Sequence, residues 1–247
     1  MAAARKDRSL TFRYIEGSDL DEALLREIWE LRLTMLTLTR TREEDWDYFH
    51  AFTTRENAAI LAFLDSDGAV KGFFTIHYIP VEHLGRRGLL MYSKYFYFHK
   101  DYRGHYKTMI APWVLLPRAI ARYGLRRMYF VTSAFPQSYV SLSRTSGNVV
   151  TLQDEAVTPW QEAALRTFAA DIFGEDWSDE LGLVMNQNVA DSEGLPKSAE
   201  AASLARKYER LNPHWREGYS IPLIFAVDGG LIYHNVKRGT RQLFARR

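Results

Sequence analysis

The chain has 247 residues, 47% of them hydrophobic and 25% charged, with a formal net charge of +2. That balance fits a globular protein in water and offers no bulk charge for nucleic acid; the basic excess sits only at the two ends, in Met1–Arg8 and at Arg238, Arg241, Arg246 and Arg247. There is no Cys, which excludes a disulfide framework, a thiolate nucleophile and any Cys-based metal site.

No apolar run approaches the ~20 residues that span a bilayer. The opening Met-Ala-Ala-Ala-Arg-Lys lacks the apolar core of a signal peptide. A cytoplasmic protein is the expectation. Aromatic residues reach 14%, with 14 Tyr and 14 Phe, which favours a sheet-containing core or a pocket with aromatic walls.

Thr11–Ile15 alternates and predicts a short first strand. From Ser18, the spacing of Leu20, Leu24, Ile28, Leu31 and Met35 predicts a helix. Thr41-Arg-Glu-Glu44 is a capping box and starts a second helix running to about Thr53. Ala59–Leu64 and Val70–Ile79 are apolar runs joined by Asp65-Ser-Asp-Gly68, the pattern of a hairpin. Leu89–Phe98 is the next predicted strand. It ends in a polar turn, and a helix is expected over Met109–Tyr123. Pro112 suits the first turn of that helix, whereas Pro117 predicts a kink or a shortened helix.

Gly124 closes that helix, and Arg127–Ser133 reads as a strand. Pro136–Arg144 reads as a short helix ending before Gly147. Thr158-Pro-Trp-Gln161 combines N-cap, N1 proline and N3 glutamine, so a helix starts there and runs to Gly174. Ser198–Leu211 predicts another helix. Asn212–Gly218 is a loop, either a lid or a packed turn. Ile221–Val227, a Gly229-Gly230 turn and Leu231–Val236 predict a final hairpin.

The stretch with the most chemistry is Phe96-Tyr-Phe-His-Lys-Asp-Tyr-Arg-Gly-His-Tyr-Lys107. An aromatic strand enters a turn with Arg103-Gly104, and a helix leaves it. Such a joint aims backbone N–H groups and a positive helix end at one spot, which suits a phosphate. Lys100, Arg103, His105 and Lys107 add up to four positive groups. They suit a pyrophosphate, and equally the acidic surface of a carrier protein.

This stretch resembles motif A of the GNAT superfamily of N-acetyltransferases, written V-x-P-x-Y-R-G-x-G-x-G/A. Phe98, Asp101, Tyr102, Arg103 and Gly104 follow the pattern in order, while Tyr106 and Thr108 stand where small residues are usual. The resemblance covers roughly residues 20–147. It implies an α/β (α+β) fold: a mixed, splayed central sheet flanked by helices, with a core over 1–150. Residues 151–247 would add two helices and a hairpin on the same core. The resemblance also implies an acyltransferase that moves an acyl group from acyl-CoA or an acyl carrier protein to a small-molecule or amino-acid amine, without a metal. The donor would lie against Phe96, Phe98, Arg103, Gly104, His105, Tyr106, Lys107 and Thr108.

Aligning on Gly147 puts Ser143 where the superfamily often has a Tyr acid; Tyr139 lies one turn earlier. Tyr97, His99, Ser133 and Tyr139 are the candidate proton-handling groups, and His77 lies near them on a predicted strand. Leu31-Arg32 with Met35 resembles the first helix of acyl-homoserine lactone synthases and N-acyl amino acid synthases, GNAT-fold enzymes that take long acyl chains from carrier proteins. Tyr106 would fill the space of the nucleotide end of CoA and so favour a carrier-bound or pantetheine donor. The alternative reading is a non-catalytic GNAT-like domain that binds an acyl thioester or a protein partner.

Overall fold

A computed structural model describes residues 9–35, 38, 40–102, 111–124, 127–146, 148–185 and 199–228, with the side chains of the helix after residue 110 described from Val114 onward. The strands are β1 (Thr11–Glu16), β2 (Ala58–Leu64), β3 (Val70–His83), β4 (Arg86–Tyr92), β5 (Phe96–Phe98), β6 (Arg127–Ala134), β7 (Val150–Thr151), β8 (Trp177–Ser178), β9 (Leu183–Met185) and β10 (Tyr219–Ala226). The α-helices are α1 (Glu22–Leu33), α2 (Arg42–Thr53), α3 (Ala111–Tyr123), α4 (Pro136–Ser146), α5 (Pro159–Phe173) and α6 (Ala199–Leu211). This is a mixed α/β fold in which antiparallel pairing dominates. Contacts divide the chain into two units, one of residues 1–78 with 93–124, the other of 79–92 with 125–247.

In the first unit β2 lies between β1 and β3, antiparallel to both, and β5 pairs antiparallel with β3. The hairpin joint is held locally: the Asp65 carboxylate accepts from the Asp67 and Ala69 amides, and Gly68 takes φ 82°. Six of the seven β2 residues are buried, because both its edges are paired and its faces are covered. Helices α1 and α2 lay Leu25, Ile28, Trp29, Phe49 and Phe52 into this core. The Thr41 capping box forms as expected, with Thr41 and Glu44 each bonding the other's backbone amide. Arg122 ties α3 to β1 and to the loop before β2 through Glu16 and the Glu56 carbonyl.

In the second unit β4 and β6 run parallel from Gly88↔Arg127 to Tyr92↔Val131. Strand β10 pairs antiparallel with β6 over Ile221↔Ala134 to Ala226↔Tyr129, and β9 and β7 also pair with β10. Helix α5, started by the Thr158 capping box, buries Trp160, Leu165, Phe168 and Ile172. The Trp160 ring passes so close to Gly88 that a Cβ there would sit 2.4 Å from it. Helices α4 and α6 meet through Val140, Ala201 and Ala205. Tyr139 and Tyr208 pack with Leu183, Ile221 and Leu223 beside them.

Several expected boundaries move. The first helix begins at Glu22, not Ser18: Gly17–Asp19 forms a 3-10 turn, and the Asp21 carboxylate caps the helix by accepting from the Ala23 amide. Its buried face is Leu25, Ile28, Trp29 and Arg32 rather than the Leu20–Leu24–Ile28–Leu31–Met35 line. The second hairpin strand continues past Ile79 to His83. Leu89–Phe98 is not one strand. It breaks at Ser93–Tyr95, where the Thr75 N–H and hydroxyl donate to the Tyr95 carbonyl and the Tyr95 amide donates to the Thr75 hydroxyl oxygen. Pro117 stands inside α3. The expected partner of β10 at Leu231–Val236 lies outside the described residues.

Candidate functional site

Strand β5 carries the first group of expected site residues. It pairs with β3 as Phe98↔Gly72, Tyr97↔Phe73 and Phe96↔Phe74. The Thr75 amide donates to the Tyr95 carbonyl and the His99 amide to the Lys71 carbonyl, so odd-numbered residues turn their backbone groups toward β3. By alternation, Phe96 and Phe98 turn theirs toward the outer edge. Among the described residues β5 pairs with no strand but β3. Phe96 is 57% exposed on this edge, packed edge-on against Phe74, while Phe98 is buried against Phe63. Phe98 reaches that position by crossing Gly72, where a Cβ would meet its ring at 2.1 Å.

Tyr97 stacks on Phe73 with ring centroids 5.7 Å apart. Burial pushes its phenol up, and the nearby Arg32 guanidinium pulls it partly back. The phenol is therefore protonated at neutral pH, as a proton donor must be. His99 opens the following turn. Its Nδ1 accepts from the Asp101 amide at 3.4 Å and lies 3.6 Å from the Asp101 carboxylate. Arg103, Gly104, His105, Tyr106, Lys107 and Thr108, and Gly147 further on, lie outside the described residues.

Ser133 and Tyr139 belong to the second unit. Ser133 on β6 shares a hydrogen bond with Ser220 of β10. Tyr139 on α4 is fully buried and packs on Tyr208, with ring centroids 5.4 Å apart. Tyr208 in turn donates to the Ala134 carbonyl at 2.9 Å and receives the Asn212 amide at 3.2 Å. Asn212 also donates to the Tyr219 carbonyl. The Asn212–Gly218 loop is thus fixed at its first residue, inside the core.

Sequence reasoning missed a polar centre inside the first unit. Arg32 and Asp45 are both buried, and their side chains join in two hydrogen bonds of 2.5 and 2.9 Å. Trp29 Nε1 donates to the same carboxylate at 2.7 Å. Burial works against the Asp45 charge, but the bonds from Arg32 and Trp29 hold its pKa below the usual range. The Arg32 guanidinium lies 5.0 Å from the Tyr95 ring. Arg32 Nε and the Tyr95 hydroxyl have no hydrogen-bond partner among the described residues. The signal was present in the sequence: Arg32 falls three and seven residues after Trp29 and Leu25, squarely on the apolar stripe of α1. An Arg there must be buried with a partner or be misplaced.

His77 on β3 is buried and packs at a tilt against Phe52, with ring centroids 4.0 Å apart. Burial, with help from Arg55 and Lys94, pushes it down to about 3. It is a neutral imidazole at any ordinary pH.

No family model matches this chain, and no curated protein matches it. Among solved structures, it is similar to a predicted acetyltransferase with acetyl-CoA from Clostridium acetobutylicum at 15% identity, covering 61% of this chain and 96% of that one, with a TM-score of 0.42. It is also similar to a ribosomal-protein-alanine N-acetyltransferase from Brucella melitensis biovar Abortus 2308, at 21% identity over 49% of this chain and 80% of that one, with a TM-score of 0.37. A third similar structure is an acyl-CoA N-acyltransferase from Pseudomonas aeruginosa, at 17% identity over 61% and 93%, with a TM-score of 0.39. No helix among the described residues is long and apolar enough to cross a membrane.

Proposed function

We propose that the chain is an N-acyltransferase that moves an acyl group from a thioester, acyl-CoA or acyl carrier protein, to an amine. The observation that carries this reading is the outer edge of β5. A strand of three aromatic residues turns the backbone N–H and C=O of Phe96 outward beside an exposed apolar ring. A pantetheine arm has amides at strand-like spacing and an apolar acyl end, so it can add to that edge as a further strand. The motif-A stretch follows β5 directly in sequence and would take the phosphates.

The reaction needs a neutral amine, whose nitrogen attacks the thioester carbonyl carbon. The tetrahedral intermediate then expels the thiolate, and the C–S bond breaks. The nitrogen gives up a proton and the thiolate takes one, leaving an amide and a free thiol. We assign the thiolate's proton to Tyr97; its position on β5 and its raised phenol pKa support that role.

The test is a melting panel with acetyl-CoA, a long-chain acyl-CoA, free CoA and an acyl carrier protein, followed by thiol release with an amine panel. A ligand at 100 times its dissociation constant should stabilise by ~2.7 kcal/mol. Stabilisation with amine-dependent thiol release supports the enzyme. Stabilisation without release under any amine supports the alternative, a non-catalytic thioester-binding domain. No stabilisation by any thioester sinks both.

A further inference from the structure

Around one side chain of the first unit, Tyr48 on α2, positive groups gather without a matching negative one. Lys94 donates to the Tyr48 hydroxyl and lies 4.4 Å from its ring centroid. The Arg40 guanidinium lies over the same ring at 4.7 Å. Neither Arg40 nor Lys94 makes a carboxylate ion pair among the described residues. Glu44, which Arg40 influences, is committed to the Thr41 cap. Behind them, Lys94 Nζ is 5.8 Å from the Tyr95 ring, and Tyr95 faces Arg32. The buried carboxylate of this inner layer among the described residues, Asp45, is engaged by Arg32 and Trp29.

Arg32, Arg40 and Lys94 face two carboxylates, Asp45 and the cap-bound Glu44, which leaves the cluster with an excess of positive charge. Two of its buried polar atoms, Arg32 Nε and the Tyr95 hydroxyl, lack partners among the described residues, and both residues are more than nine-tenths buried. A buried donor without a partner is destabilising, and a bound acceptor atom would offset that cost. Guanidinium and ammonium groups are donors only, so the ligand that suits them is an oxygen anion. The rings of Tyr48, Phe52 and Tyr95 add an apolar wall, which suits an anion attached to an organic body better than a bare ion.

We propose that Arg40, Tyr48 and Lys94, backed by Arg32 and Tyr95, bind the carboxylate of an acceptor that is a free amino acid. This deepens the acyltransferase reading and rests on it for the word acceptor. An anchored carboxylate would fix where the amine end points, the orientation that acyl transfer demands.

The experiment is calorimetric titration without any acyl donor, so it does not depend on turnover. The probes are a panel of free L-amino acids, their C-terminal amides, and inorganic phosphate. At least one free acid should bind at least tenfold more tightly than its amide, equivalent to ~1.4 kcal/mol. Arg40→Ala and Lys94→Met should each weaken the acid about tenfold and leave the amide unchanged. Arg40 is exposed and outside any helix, so its variant keeps the test alive if the Lys94 variant folds poorly. Equal binding of acid and amide, no binding of any panel member, tighter binding of phosphate, or acid affinity unchanged in both variants would overturn the proposal. Acid-selective binding without amine-dependent thiol release supports the site while counting against the acyltransferase reading, so the two fail separately.

Discussion

Arg32 on α1 and Asp45 on α2 meet in a buried two-point ion pair, with bonds of 2.5 and 2.9 Å. The pair fixes the register of α1 against α2. Leu25, Ile28 and Trp29 can face the core only if Arg32 does too, and Arg32 can do so only with Asp45 opposite.

Removing one partner leaves the other charge buried and unpaired. Arg32→Met or Asp45→Leu alone should destabilise by ~3–5 kcal/mol, whereas the double variant should lose much less. Urea unfolding of the three variants gives the coupling. Acid should act in the same direction. The Asp45 pKa is lowered in the fold, so its contribution is fully present above the unfolded value of ~3.9 and is lost as pH falls through the folded value. A double variant as unstable as the sum of the singles would mean that the pair has no coupling.

His77 gives a second and wider pH dependence. It is pushed down to about 3, against 6.5 for the unfolded chain. Below pH 6.5 the unfolded chain takes up a proton that the folded one refuses, so stability falls as pH drops toward 3, by up to ~1.4 kcal/mol per pH unit. His77→Phe keeps a ring against Phe52 and removes the titration. The difference in unfolding free energy between wild type and this variant should therefore slope with pH between about 6 and 4 and be flat above 7. A parallel pair of pH curves would show that His77 is protonated in the fold.

Two glycines are needed for the space they leave rather than for their dihedral angles. A Cβ at Gly72 would meet the Phe98 ring at 2.1 Å, and one at Gly88 the Trp160 ring at 2.4 Å. Each Gly→Ala change should cost ~1–3 kcal/mol through displaced rings. The functional effects should differ. Gly72→Ala moves Phe98 on β5 and should weaken acyl-thioester binding, with partial rescue by Phe98→Leu. Gly88→Ala should lower stability and leave thioester affinity alone. Equal thioester affinities for both variants would remove β5 from the donor site.

Local signals located most elements because their causes are local. Both capping boxes, at Thr41 and Thr158, form as the spacing of hydroxyl and carboxylate or amide demands. The Asp65–Gly68 turn and the Gly174 stop are set by their own residues. What failed was set at a distance. The break in Leu89–Phe98 depends on Thr75, twenty residues before Tyr95, and no window on Ser93–Tyr95 contains it. Strands β7, β8 and β9 are two or three residues long and exist because β10 and β9 offer edges to pair with. The candidate groups divide the same way. The motif beside Tyr97 and His99 is what proposes them, whereas the Arg32–Asp45 pair needed the helical stripe to be read with Trp29 and Leu25 rather than with Leu24 and Leu31.

The last prediction concerns Tyr97. Phenylalanine at this position keeps the stack on Phe73 and the β3 pairing and removes only the hydroxyl. Stability should fall by about 1 kcal/mol, since the phenol is partly buried beside the Arg32 guanidinium. If the phenol protonates the departing thiolate, kcat should fall by about 10²-fold or more while KM stays within roughly twofold, because the bond is made as the thiol leaves. The pH profile is the sharper readout. Burial raises the phenol above its ordinary ~10, so the wild-type rate should show no Tyr97-dependent decline until above that pH. Tyr97→Phe should lower the whole profile without moving its acid limb. Choosing an acyl thioester with a more acidic thiol should then recover most of the lost rate, because such a thiolate leaves without needing a proton. A variant whose loss is the same for good and poor leaving groups would show that Tyr97 positions the donor and does not protonate it.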